Sequence, residues 1–324
     1  MPTVAFAGTF AANLLPRVRA RVGTEFSFIT GSEAEIGARM ADVDVLVSMA
    51  FTAAMARAAS KLKLVQVPGA GLDLIERDAL PARTMLANAY GHETGIAEYV
   101  FGAVLSLMRE LPRLDDRLRR GEWRSHWSVG RPPPTPWPEL AGKSLGIVGF
   151  GRIGKAVARR ARAFDMTVRG IRRNPAPDPD LAFCGGPDAL DEVLRQADGL
   201  LISAELGPQT RGLIGARELA LLPPGAVLVN VARAEIVDQQ ALYAALKGGQ
   251  LGGAALDVWY RYPTGPGPTS PADLPFHELP NVLMTPHASG WTEGMMANRA
   301  ATIAENIERA MRGAPPLNHI APDS

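Results

Sequence analysis

The sequence predicts an α/β fold with two parallel sheets, on three observations. Short apolar runs alternate with helical stretches along nearly the whole chain. A long helical stretch and a proline-dense segment interrupt that alternation once and divide it into two blocks. A glycine pattern of the kind that joins a strand to a helix opens the second block. The length of 324 residues agrees, since about 150 residues per domain implies about two.

In the first block, residues 4–7, 26–29, 43–48 and 64–67 are apolar runs bounded by turn residues, which reads as four strands. Helical spacing over 14–22, 33–40 and 53–60 separates them. Residues 97–111 form a long helical pattern closed by Pro112. The segment 130–138, GRPPPTPWP, can be neither helix nor central strand and reads as an extended arm or linker. Strands then recur at 144–148, 167–171, 199–202, 226–230, 253–258 and 282–285, with a helix at 153–163. The end of the chain, 293–312, is one helix. The residues alone suggest a division near 97. They leave open whether the final helix stays with the second block or crosses back.

Composition narrows the function. At 47% hydrophobic and 21% charged the chain fills a sizeable core. Thirty-four basic against 33 acidic residues give a net charge of +1, too little for a global field holding nucleic acid or an anionic membrane. The single cysteine, Cys184, excludes a disulfide framework and an all-cysteine metal site, and no metal is expected. The N-terminus shows no basic segment followed by a long apolar one, and the longest apolar-looking run, 99–108, is too short to span a bilayer. The expected setting is the cytoplasm.

Residues 145–154 read LGIVGFGRIG. Gly149, Gly151 and Gly154 form G-x-G-x-x-G directly after one strand and at the start of a helix. The first glycine permits a tight turn, the second lets a pyrophosphate approach the backbone, and the third lets helix and strand pack closely. A bare pattern of this kind is weak, but its position between strand and helix points to a dinucleotide. Gly69-Ala70-Gly71 also follows a strand but lacks a third glycine, Leu74 standing there. The strand at 167–171 ends in Arg172-Arg173, where an NAD-binding unit usually carries an acid for the ribose 2′-hydroxyl. These are either two solvated arginines or a site for a 2′-phosphate. The guanidinium's charge and donor fork favour the second, and hence NADP(H) over NAD(H).

Three later segments, LVNVARAEIVDQQAL, GGAALDV and LMTPHASG, join GFGRIG and AGLDLIERDAL in a set that closely resembles the D-isomer-specific 2-hydroxyacid dehydrogenases, over nearly the whole chain. The resemblance implies a Rossmann coenzyme domain (98–289) inserted into a flavodoxin-like catalytic domain (1–97 plus 290–324). It implies that Arg233 binds substrate and that His287 is the general acid/base. It implies that Asp257 contacts the nicotinamide carboxamide, and that Gly69, Ala70 and Gly71 hold the substrate carboxylate through their N–H groups. Gly149, Gly151, Arg152, Ile153, Gly154, Val231 and Ala232 would line the coenzyme site with Arg172 and Arg173. It further implies a homodimer formed through the long helix and proline arm.

The residue types suit this chemistry. Reducing a 2-oxo acid needs a hydride donor, a proton donor and a cation; Arg233 can hold the carboxylate and polarise the carbonyl, and His287 can give a proton near neutral pH. His92, His126, His277 and His319 have no such setting and read as structural or exposed. Two departures stand out. After ALDV the family places Glu before Pro, or Gln in formate dehydrogenases, and that Glu pairs with the histidine; here Tyr262 precedes Pro263, while Glu278 belongs to a separate loop motif. Ser203-Ala204-Glu205-Leu206-Gly207 replaces a segment that often reads His-x-Pro-Leu-Thr. The aromatic groups Trp259, Tyr260, Tyr262, Trp291 and Trp123, His126, Trp127 read equally well as packing or as a pocket for a bulky 2-oxo acid. The expected function is NADPH-dependent reduction of a D-specific 2-oxo acid. The alternatives are a formate- or phosphite-type dehydrogenase and a non-catalytic dinucleotide sensor resembling a corepressor.

Overall fold

The computed structural model describes residues 1–321. The chain divides into two compact units, one made of Met1–His92 with the chain from Trp291 onward, the other of Glu93–Gly290. The first division falls at 92/93 rather than near 97, because the long helix begins at Glu93 (Glu93–Met108).

The first unit is built on β1 (Thr3–Ala7), β2 (Ser27–Gly31), β3 (Val45–Ser48), β4 (Leu64–Gln66) and β5 (Met85–Ala87), all parallel, in the order 5-4-3-1-2. This is the flavodoxin-like order, with a switch point beside β1. Successive side chains of β1 alternate between two cores. Val4 and Phe6 join Leu14 and Val18, while Ala5 and Ala7 join Ile36, Met40 and Phe51. Burial on both faces is why these strands read as continuous apolar runs. The helix Glu293–Met311 returns to this unit: Met295, Ala300, Ile303 and Ile307 lie in the core of Val4 and Phe6.

The second unit carries β6 (Ser144–Val148), β7 (Thr167–Ile171), β8 (Phe183–Gly185), β9 (Gly199–Ile202), β10 (Ala226–Asn230), β11 (Leu251–Leu256) and β12 (Val282–Met284). They form one parallel sheet in the order 12-11-10-9-6-7-8. Renumbered from its own first strand, this is the Rossmann order extended by one strand, with its switch point between β6 and β9. Leu228 faces one core and Val227 and Val229 the other.

Several elements differ from the sequence reading. The first helix runs Thr9–Arg19, five residues earlier than expected, and passes through Pro16. Pro112 does not end structure: the chain turns at Glu110, in the left-handed region (φ 50°), and a helix Leu111–Arg119 starts with Pro112 in its first turn, where a missing N–H costs nothing. The three-residue strands β5 and β8 went unread, as did β13 (His319–Ile320), which pairs antiparallel with β5.

Candidate functional site

The glycine turn sits at the switch point of the second sheet. Gly149 has φ +93°, and a Cβ there would lie 2.3 Å from the Ala204 backbone. The chain after β6 and the chain after β9 therefore touch where only glycine fits. Ser203, which opens the second departure noted above, donates its hydroxyl to the Gly149 carbonyl at 3.0 Å and braces the turn. Gly151 caps the helix Arg152–Ala163, and a Cβ there would meet nothing within 4 Å. That open backbone ahead of a helix N-terminus is a cradle a side chain would fill, and it fits a pyrophosphate. A Cβ at Gly154 would crowd Phe150 and Ile147 at 3.1 and 3.2 Å, so this glycine serves helix–strand packing. Arg152 is exposed and Ile153 half-buried at the helix start.

At the end of β7, the Arg172 N–H donates to the Gly185 carbonyl at 3.1 Å, while Arg173 is exposed. The acid beside them is Asp178. Lys155 binds it at 2.9 Å. That hydrogen bond foremost, with the charge of Arg172 adding, holds its carboxyl below the usual range. Arg172 and Lys155 thus set two cations against Asp178, and exposed Arg173 follows Arg172 in the chain.

The ends of β10, β11 and β12 bring a second group together. After β10, Asn230 shapes the turn: its amide donates to the Arg233 carbonyl and its oxygen accepts from Ala232 N–H, both at 3.0 Å. Val231 and Ala232 are buried, and Arg233 donates from Nη1 to the Ala232 carbonyl at 2.7 Å. After β11 comes Asp257, with no exposed surface. Its Oδ1 accepts from the Thr285 hydroxyl (2.7 Å) and Ala288 N–H (2.8 Å), and its Oδ2 accepts from Ser289 N–H (2.9 Å). The carboxylate is enclosed and organises the loop after β12. Tyr99 donates to Thr285 at 2.8 Å, and burial pushes its own hydroxyl up to about 12. Trp259 Nε1–H donates to the Thr285 carbonyl at 2.8 Å.

That loop holds His287 at φ +56°, a left-handed conformation uncommon outside glycine. The His287 Nδ1 lies 2.8 Å from the Tyr262 hydroxyl. Desolvation is the main influence on the ring and lowers its pKa from 6.5; Arg233 lowers it further and Asp257 opposes. Solvent still reaches His287, which limits how far desolvation pushes it. Glu278 is exposed and bonds to the backbone of its own turn, not to the ring.

In the first unit, Gly69 is buried and Ala70 and Gly71 half-buried. Their carbonyls are tied: Ala89 N–H donates to Gly69 at 3.0 Å and the Asn88 amide to Ala70 at 2.9 Å. Their three N–H groups donate to no described residue.

Residues 101–289 match the family described as D-isomer specific 2-hydroxyacid dehydrogenase, NAD binding domain. The chain is 34% identical over 298 residues to a D-3-phosphoglycerate dehydrogenase of Methanocaldococcus jannaschii, covering 89% of this chain and 54% of that protein. It is 34% identical to a glyoxylate reductase of Korarchaeum cryptofilum, covering 86% of this chain and 83% of that one. The chain belongs to the D-isomer specific 2-hydroxyacid dehydrogenase family. It spans about half the length of the phosphoglycerate dehydrogenase it matches. A solved NADPH-dependent glyoxylate/hydroxypyruvate reductase from Sinorhizobium meliloti superposes with a TM-score of 0.81 at 27% identity, over 99% of this chain and 98% of that one.

For a member of this 2-hydroxyacid dehydrogenase family, the group around His287 holds residues that sequence reasoning missed. Tyr99 and Asn230 support the two loops, and nothing in their local spacing separates them from core residues. Trp259 and Tyr260 are packing: Trp259 is buried, and Tyr260 donates to the Val237 carbonyl at 2.8 Å. Trp123 and Trp127 are exposed, and Trp291 leans on Phe10 with ring centroids 5.7 Å apart in the first unit. His92 is buried against Arg299 at 3.0 Å, and His126, His277 and His319 are exposed. Among the described residues, no cluster of three or more His, Cys, Asp or Glu is placed to hold a metal, and no helix is long and apolar enough to cross a membrane.

Proposed function

We propose that this chain reduces a 2-oxo acid to the D-2-hydroxy acid with NADPH. The observation that carries the reading is the meeting of Arg233, Tyr262 and His287 on loops at the carboxyl ends of neighbouring strands, on the side of the sheet where such folds bind ligands. A bound nicotinamide cofactor would supply the hydride. The open backbone at Gly151 would hold its pyrophosphate, and Arg172 and Arg173 a 2′-phosphate. The Arg233 guanidinium would grip the substrate carboxylate and polarise the carbonyl beside it. His287 would deliver the proton from Nε2, the nitrogen that makes no hydrogen bond to a described residue. Arg172 and Lys155 around Asp178, with exposed Arg173 beside them in the chain, support NADPH, as does the NADPH dependence of the Sinorhizobium reductase.

A non-catalytic sensor would not need a proton-transfer pair, and the 2.8 Å contact between Tyr262 and His287 argues against it. Exposed Leu118, Trp123, Trp127 and Val129 beside the proline arm support a homodimer formed through that surface. The test is a panel of 2-oxo acids with NADPH and NADH followed at 340 nm. Turnover with at least one acid, faster with NADPH, is expected; binding of NADPH without turnover on any of them would overturn the enzymatic reading.

A further inference from the structure

A carboxylate behind a histidine can only accept a hydrogen bond, so it forces the proton onto Nδ1. A phenol can donate. We propose that Tyr262 donates its hydroxyl proton to Nδ1 of His287, fixes the ring as the Nε2–H tautomer, and serves as the proton reserve behind it. This inference rests on the reductase reading for its chemistry but not for its geometry.

The geometry gives the hydroxyl its direction. The Trp259 backbone N–H, which can only donate, points into Tyr262 Oη at 3.4 Å. Among the described residues the one acceptor then within reach of the phenolic proton is Nδ1, at 2.8 Å. Trp259 is itself anchored to the histidine loop through Nε1, so the Tyr262 partner and the His287 backbone share one support. The charged and titratable groups facing the pair are Arg233 after β10 and Asp257 after β11; Glu235 also acts on Tyr262. Arg233 disfavours a second proton on the ring, in line with the lowered pKa of His287, so near pH 7 the neutral ring dominates. Arg233 also favours a phenolate at Tyr262, against the burial that raises its pKa.

The proton transfer balances without an imidazolium. Once hydride has reached the carbonyl carbon, the carbonyl π pair moves to oxygen, and that oxygen takes the proton from Nε2. The bond pair left on Nε2 is compensated as Nδ1 takes the phenolic proton of Tyr262. After product leaves, Nε2 takes a proton from solvent as Nδ1 returns its own to the phenolate, which restores the Nε2–H ring at a net uptake of one solvent proton per turnover. Tyr262 acts through His287 and is a positioning residue.

The decisive measurement is the tautomer of His287 in the cofactor-free protein, read from its ring nitrogen shifts by NMR at pH 8. Nε2–H is expected in the unaltered protein, a mixture in Tyr262→Phe, and Nδ1–H in Tyr262→Glu. An Nδ1–H ring in the unaltered protein overturns the proposal, whether or not any 2-oxo acid is turned over and whether or not the variants fold. The second reading is the pH dependence of single-turnover reduction. The unaltered enzyme should lose less than about 3-fold between pH 6.5 and 9. Tyr262→Phe, dependent on the imidazolium, should lose about 10-fold per pH unit above a value lower than 6.5. The same steep fall in the unaltered enzyme would also overturn the proposal.

Discussion

Arg233 and His287 differ in when they would act, so their removal has different signatures. A guanidinium that grips the carboxylate acts on bound substrate and on the transition state alike, and Arg233→Ala is expected to raise KM and lower kcat together. His287 acts only as charge develops on oxygen, and its replacement by Asn should leave KM near its starting value while kcat falls about 10²–10⁴-fold. Steady-state kinetics on both variants checks this pair. Arg172 bears on a different choice. Each charge-assisted hydrogen bond to a 2′-phosphate is worth about 1.5–3 kcal/mol, which is about 10–100-fold in affinity. Arg172→Asp should lose at least that factor in kcat/KM for NADPH and gain toward NADH. Equal efficiency with both cofactors in the unaltered protein would show that Arg172 and its neighbouring cations do not select.

The glycine turn separates folding from binding within three residues. At Gly149 a methyl group would lie 2.3 Å from backbone, in a positive-φ conformation, so Gly149→Ala should lower Tm sharply. At Gly151 the same methyl meets nothing, so Gly151→Ala should leave Tm unchanged while weakening NADPH binding by about 10-fold or more. Thermal melts and cofactor titration of the two variants test the contrast. This turn was legible in the chain because its strand, its glycines and its helix are contiguous. The pairing of Tyr262 with His287 was only half legible: the missing acid is visible, but a contact across 25 residues depends on how two strand-end loops meet. The hold of Asp257 on the loop after β12 was not legible for the same reason, since its three donors come from a loop about 30 residues away. The helix Leu111–Arg119 was lost because Pro112 reads as a stop, when proline is equally at home in a first turn.

With a net charge of +1, long-range repulsion between copies of the whole chain is weak, and exposed apolar surface decides association. That surface is concentrated in one stretch: Leu111, Leu118, Trp123 and Trp127 are exposed, and Val129 is 98% exposed. The helix Leu111–Arg119 has no buried residue, and its i,i+4 pair Arg119–Asp115 lies on the solvent side. Sedimentation velocity at micromolar concentration should show a dimer, and the double variant Leu118→Asp, Trp127→Asp a folded monomer. A monomer in the unaltered protein would refute the assembly. The parallel character of both sheets was legible at this level because parallel strands buried on two faces leave unbroken apolar runs. The return of the last helix to the first unit was implied by the family resemblance alone, because an amphipathic stripe does not say which sheet it meets.

The backbone at His287 turns at φ +56°. A saturation library at this codon would therefore divide into classes that hydrophobicity does not predict. Gly, Asn and Asp, which tolerate left-handed geometry, should give well-folded, inactive proteins. Val, Ile and Thr, stiff at the branch next to the backbone, should lose expression as well as turnover. Histidine belongs to the first class by backbone tolerance and stands alone by chemistry. The position selects twice, once for a conformation few side chains accept and once for a ring that carries a proton, and the abundance and activity scores of such a library would read the two selections apart.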